Sequence, residues 1–129
     1  MLQNFFCFTI ILLLFSCTPA MRLQVQQIKT KPSETGPQIM FHFYNSKGNG
    51  KRSLWRVEVY KNDSLILKIE NQYAENDTVY SWHFPELPNG FKIIHPENAQ
   101  SIPVFAKNDK LRFEFLAGGA YSTWVYEPK

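Results

Sequence analysis

Charged residues are missing from the first seventeen positions of this 129-residue chain, and cysteine is missing from everything after them. The two cysteines, Cys7 and Cys17, both sit in the apolar N-terminal stretch. Disulfides are therefore excluded as staples of whatever folds behind it. A charge of one sign is lacking too: 14 basic residues stand against 11 acidic ones, interspersed, for a net +3. That balance is too mild and too evenly mixed to argue for nucleic acid or an anionic membrane surface as the main partner. After the N-terminal stretch no window of about a dozen residues carries apolar residues at helical spacing, which argues against a helical domain. Signatures of chemistry are scarce as well. The chain has no G-x-S-x-G nucleophile turn and no G-x-x-x-x-G-K-[ST] phosphate loop. Its histidines, His42, His83 and His95, are too scattered for a zinc site, which needs several converging ligands. No catalytic residue, metal ligand or cofactor is expected.

What the N-terminus does have is an apolar run at residues 5–15, FFCFTIILLLF, broken only by Thr9. It is short for a bilayer crossing, which takes about 20 residues, and matches the apolar core of a signal peptide. Its composition is unlike the rest of the chain, which weighs against a helix packed in the core. Directly behind it stands Leu14-Phe15-Ser16-Cys17. This tetrapeptide resembles the lipobox of bacterial lipoproteins, with Leu three positions before the cysteine and a small residue immediately before it. The resemblance implies a diacylglycerol group on Cys17 and cleavage in front of it. Residues 1–16 are then a signal peptide, 17–22 a lipidated N-terminus with a short tether, and 23–129 the folded domain. Phe15 is bulkier than the family's usual residue, and Met1 to Asn4 hold no Lys or Arg. A cut after Ala20 would instead release a soluble secreted protein. Thr18 in place of Asp behind the cysteine implies an outer-membrane anchor facing the periplasm.

The rest of the chain reads as strands. Short segments alternate apolar and polar residues between clusters of Gly, Pro, Asn, Asp and Ser. The pattern predicts strands over residues 23–30, 39–44, 55–59, 65–69, 78–84, 91–95, 102–106, 111–115 and 121–126. Trp55, Val57 and Val59 are expected to face inward, with Arg56 and Glu58 outward; Leu65, Leu67 and Ile69 form the matching face of the next strand. Asn62-Asp63 between them predicts a tight hairpin. The expected fold is all-β: a single antiparallel sandwich of about 7–8 strands behind the N-terminal segment. Strand count and spacing resemble immunoglobulin-like and fibronectin type III-like domains, although no Cys–Trp–Cys pattern is present.

Asn-Asp precedes a strand three times, at Asn62-Asp63, Asn76-Asp77 and Asn108-Asp109, twice inside the similar strings KNDSLILKI and KNDKLRFEF. Repeated turn chemistry accounts for this, because both residues tolerate left-handed backbone. A calcium cluster would need the turns to gather at one end of the sandwich. The basic loop SKGNGKRS, residues 46–53, feeds a strand rather than a helix, so Lys47, Lys51 and Arg52 read as a solvated turn. Contact with acidic lipid or glycan is its minor reading.

Aromatic residues are the one compositional excess, at 16%. Alternation assigns most of them to the core. In the last strand Trp124 and Tyr126 share one face with Ser122, and Tyr121, Thr123 and Val125 share the other, so neither face is plainly polar or plainly apolar. Tyr121, Trp124 and Tyr126 are thus the candidate binding residues, with core packing as the ordinary account of them. The expected function is that of a lipid-anchored, non-catalytic cell-envelope protein. Its partners are the membrane, through the lipid, and another envelope protein, bound through a sheet face, edge or loops. The alternative is a glycan-binding or peptidoglycan-binding sandwich.

Overall fold

The computed structural model describes residues 21–28, 36–48, 50–73, 75–106 and 108–128. Among them the alternating segments form eight strands: β1 (Met21–Ile28), β2 (Gln38–Asn45), β3 (Leu54–Lys61), β4 (Ser64–Asn71), β5 (Ser81–Phe84), β6 (Phe91–His95), β7 (Leu111–Ala117) and β8 (Ala120–Tyr126). They make two antiparallel sheets, ordered β1-β2-β5 and β6-β4-β3-β7-β8, packed as a single β-sandwich.

Period-two alternation gives each sheet one apolar face, and burying the two faces against each other makes the core. Ile39, Phe41 and Phe43 of β2 are fully buried, as are Val57 and Val59 of β3, Leu67 and Ile69 of β4, and Phe113 of β7. Phe41 sits at the centre, its ring centroid 5.1 Å from that of Phe113 and 4.8 Å from that of Phe115. Trp82 stacks on Phe41 at 5.6 Å. Its indole N–H donates to the Glu86 carbonyl at 2.6 Å, so the buried donor is satisfied. The β3–β4 hairpin closes as expected, with Asn62 and Asp63 both at positive φ, 51° and 63°. That is the backbone which matches strand twist in a two-residue turn.

Two bulges change which residues face inward. Across β3 and β7, Leu54 lies opposite Ala117 and Arg56 opposite Leu116, which leaves Trp55 as the extra residue. Leu54 therefore takes the buried place expected of Trp55, and Trp55 is only half-buried. Across β3 and β4, Tyr60 faces Leu65 and Val59 faces Leu67, with Ile66 inserted between them. Ile66 packs against the core, and Leu65 shares the outer face with Tyr60.

Two expected strands also differ. Residues 102–106 form none: Pro103 has no N–H to give to a ladder, and the segment instead covers the open side of the sandwich, with Phe105 stacked on Phe84 at 5.4 Å. Residues 78–80 are a crossover rather than the start of β5. The Val79 carbonyl accepts from Leu54 of one sheet at 2.7 Å, and the Tyr80 carbonyl accepts from Phe43 of the other at 3.1 Å. Tyr80 thus still bonds β2 in the register of β5, and the chain leaves that ladder for the other sheet at Val79. Finally, β1 begins at Met21, two residues ahead of the expected Leu23.

Candidate interaction surface along strand β8

The register of the five-stranded sheet lines up its outer side chains in three rows. Glu70, Arg56, Leu116 and Tyr121 form one row, Lys68, Glu58, Glu114 and Thr123 the next, and Leu65, Tyr60, Arg112 and Val125 the third. Over β4, β3 and β7 these rows are a charged lattice. Arg56 pairs with Glu58 at 3.2 Å, Lys68 with Glu70 at 3.5 Å, and Arg112 with Glu114 at 3.5 Å. The Arg112 guanidinium also lies 4.4 Å from the Tyr60 ring centroid and 3.1 Å from Asp63.

The Tyr60 hydroxyl donates to Glu58 Oε2 at 2.6 Å. This bond, with burial and the negative charge of Glu58 and Glu114 behind it, pushes the phenol up to about 12, against the opposing pull of Arg112. At the same end Asp109 accepts from Lys61 at 3.0 Å and from the Ala106 N–H at 3.0 Å. The hydrogen bond from Lys61, helped by that from Ala106, holds the Asp109 carboxyl below the usual carboxylate range although burial works the other way.

The lattice stops at β8. Ala120–Tyr126 contains no Lys, Arg, Asp, Glu or Pro, and β7 is its one hydrogen-bonded neighbour among the described strands. The other sheet edges are guarded differently. β1 carries Arg22 and alternating Gln; β5 is four residues long and ends at Pro85; β6 carries Lys92, is five residues long and ends at Pro96. Short strands, charges and prolines are the ordinary devices that blunt an edge against pairing. On β8 the outer residues Tyr121 and Val125 are 68% and 40% exposed, with Arg56 6.0 Å from the Tyr121 ring centroid.

The three aromatic candidates are not brought together. Trp124 and Tyr126 turn inward and pack against the core. Trp124 meets Phe41 edge-on at 5.5 Å and Phe113 at 5.9 Å. Tyr121 lies on the opposite face, apart from both. Cys17 lies outside the described residues. Sequence reading did not foresee the charged lattice, although matching Arg-x-Glu pairs at Arg56-Glu58 and Arg112-Glu114 are its visible signal.

The remaining candidates are spread apart. His42 lies beside Tyr44 on the outer face of the small sheet, centroids 6.4 Å apart. His83 bonds Gln38 at 3.0 Å on the same sheet, and His95 is exposed at the end of β6. Among the described residues no group of three or more His, Cys, Asp or Glu is placed to hold a metal ion. Asn62-Asp63 and Asn108-Asp109 flank the end where β3 stops and β7 starts; Asn76 is held at the opposite end by the Asn71 side chain and the Asn89 carbonyl. No helix among the described residues is long and apolar enough to cross a membrane. No protein-family model, curated protein or solved structure matches the chain.

Proposed function

We propose that this is a lipid-anchored, non-catalytic protein of the cell envelope whose sandwich adds the β8 edge to a strand of another envelope protein. The unguarded β8 edge carries the reading: seven uncharged residues, free of proline, beside a sheet whose outer charged residues on β4, β3 and β7 are held in ion pairs. A strand laid along β8 would gain main-chain hydrogen bonds, with Tyr121, Thr123 and Val125 supplying side-chain contacts on alternate positions. The anchor rests on Leu14-Phe15-Ser16-Cys17 and would sit in the outer membrane facing the periplasm.

Strand order supports the immunoglobulin-like or fibronectin type III-like resemblance. β1-β2-β5 against β4-β3-β7-β8 follows the order A-B-E against C′-C-F-G, with β6 added beyond β4. Such sandwiches serve many functions, so the site rather than the fold bears the functional weight. Of its three candidate rings the glycan-binding alternative keeps Tyr121 exposed, since Trp124 and Tyr126 contribute to the core. On β8 that leaves a single stacking contact.

The test is in-cell crosslinking from a photoreactive residue at position 125, in the otherwise native chain and with Thr123→Lys or Cys17→Ala. A discrete protein adduct at position 125 that Thr123→Lys abolishes is the expected result. Unchanged adducts in Thr123→Lys would exclude the edge. Unchanged membrane fractionation of Cys17→Ala would exclude the lipid anchor.

A further inference from the structure

The cations of the domain are not distributed as its net charge suggests. Arg56, Lys61, Lys68, Lys110 and Arg112 all reach a carboxylate within 3.5 Å, and all belong to the five-stranded sheet or its loops. Arg22, Lys47, Lys51, Arg52 and Lys92 reach none among the described residues. Arg52 gives its guanidinium to the Gly118 carbonyl at 2.6 Å and Lys92 stands on β6, whereas Arg22, Lys47 and Lys51 lie together at one end of the sandwich. Arg22 pairs with Tyr44 at the start of β1 and contacts the Gly48 carbonyl at 3.5 Å, and Lys51 bridges back to Tyr44. Both are exposed, as is Lys47 between them. Arg22 lies 5.0 Å from the Tyr44 ring centroid and Lys51 5.7 Å from that of Tyr80, so each cation is backed by an aromatic ring instead of an anion. Residues 46–53 contain no acid. The nearby acids Glu75 and Asp77 flank Asn76, which is tied to Asn71 and Asn89 on the β4–β6 side of the same end.

We infer that this end, bearing Arg22, Lys47 and Lys51, is a docking surface for a membrane with anionic headgroups. Charge complementarity is one support. The other is reach, and it rests on the proposed lipid at Cys17. Met21 begins β1, and the four steps from Cys17 to Met21 span at most about 14 Å. A lipid on Cys17 thus holds the start of β1, and Arg22 beside it, within little more than a Debye length of the bilayer surface, about 8–10 Å. Docking by this end would leave the free edge of β8 running away from the membrane, available to a partner.

The test uses residues 18–129 without leader or lipid. This part carries its own core: among the described residues, the core cluster and the partly buried shell around it run from Met21 to Tyr126. Sedimentation is measured with vesicles of phosphatidylglycerol and phosphatidylcholine mixed, and of phosphatidylcholine alone. Each surface cation contributes about fivefold to partitioning onto an anionic bilayer. Replacing all three (Arg22→Gln, Lys47→Gln, Lys51→Gln) is therefore expected to lower partitioning on the order of a hundredfold. A charge-matched control on the five-stranded sheet and its far end, Lys61→Gln with Lys68→Gln and Lys110→Gln, is expected to keep most of it. Circular dichroism establishes that both variants are folded. Equal partitioning onto the two vesicle types, or equal loss in both variants, would overturn the inference. The mass of the N-terminal peptide from native membranes separately reports lipid on Cys17. Its absence alongside selective vesicle binding would defeat the anchor and leave the docking surface.

Discussion

The indole of Trp124 meets the ring of Phe41 edge-on across the sandwich, with centroids 5.5 Å apart and planes at 78°. One residue of β8 thereby bridges to β2 in the other sheet, while Tyr121, three residues earlier, points into solvent.

That division predicts opposite mutational behaviour within one strand. Trp124→Ala removes a large ring packed on Phe41 and Phe113 and is expected to cost about 3 kcal/mol. Tyr121→Ala is expected to change stability by less than about 0.5 kcal/mol while weakening any partner that binds along β8. Urea denaturation of the two variants measures the first difference, and crosslinking yield the second.

Tyr60 is expected to be a late-titrating tyrosine. Its phenol is pushed up to about 12 by the bond to Glu58. A raised group stabilises the fold fully below its unfolded value, about 10, and that contribution disappears as pH rises through about 12. Absorbance titration of the phenolates should lose a high-pH component in Tyr60→Phe. In Glu58→Gln the same component should move down towards pH 10. A Glu58→Gln titration identical to that of the native chain would refute the assignment.

Asp109 acts at the acid end. Its carboxyl is held low, first by Lys61 and then by the Ala106 N–H. A lowered carboxyl stabilises the fold above its unfolded value, about 3.9, and the contribution is lost as pH falls through the folded value. Asp109→Asn should therefore be less stable than the native chain at neutral pH and converge with it in strong acid. Thermal melts across pH 2–7 check this.

At the β3–β4 turn, Asp63 holds a φ of 63°, a conformation costing a β-branched residue about 1–2 kcal/mol. Asp63→Val should lose about that amount in urea denaturation. Asp63→Gly is expected to match or exceed native stability, since the exposed pair with Arg112 contributes at most about 1 kcal/mol.

The clearest strands were readable because alternation is a local property. Arg56 to Val59 and Leu111 to Phe115 declare their faces two residues at a time, and Asn62-Asp63 declares its turn by backbone tolerance. Sequence alone thus determined the all-β class, most strand positions, and the split between a charge-free N-terminal segment and a mixed-charge domain. It could not place Trp55 and Leu65, because a bulge depends on the register with a neighbouring strand and leaves no mark in a single segment's period. Nor could it choose which face of β8 turns inward. Tyr121-Thr123-Val125 and Ser122-Trp124-Tyr126 are equally mixed in sequence, and only packing against Phe41 and Phe113 selects the second. The same holds for the charges. Composition supplies 14 cations and 11 anions, and strand alternation alone sets Arg56 and Arg112 beside the carboxylates two residues on, but only the fold gathers Arg22, Lys47 and Lys51 at one end without carboxylate partners among the described residues.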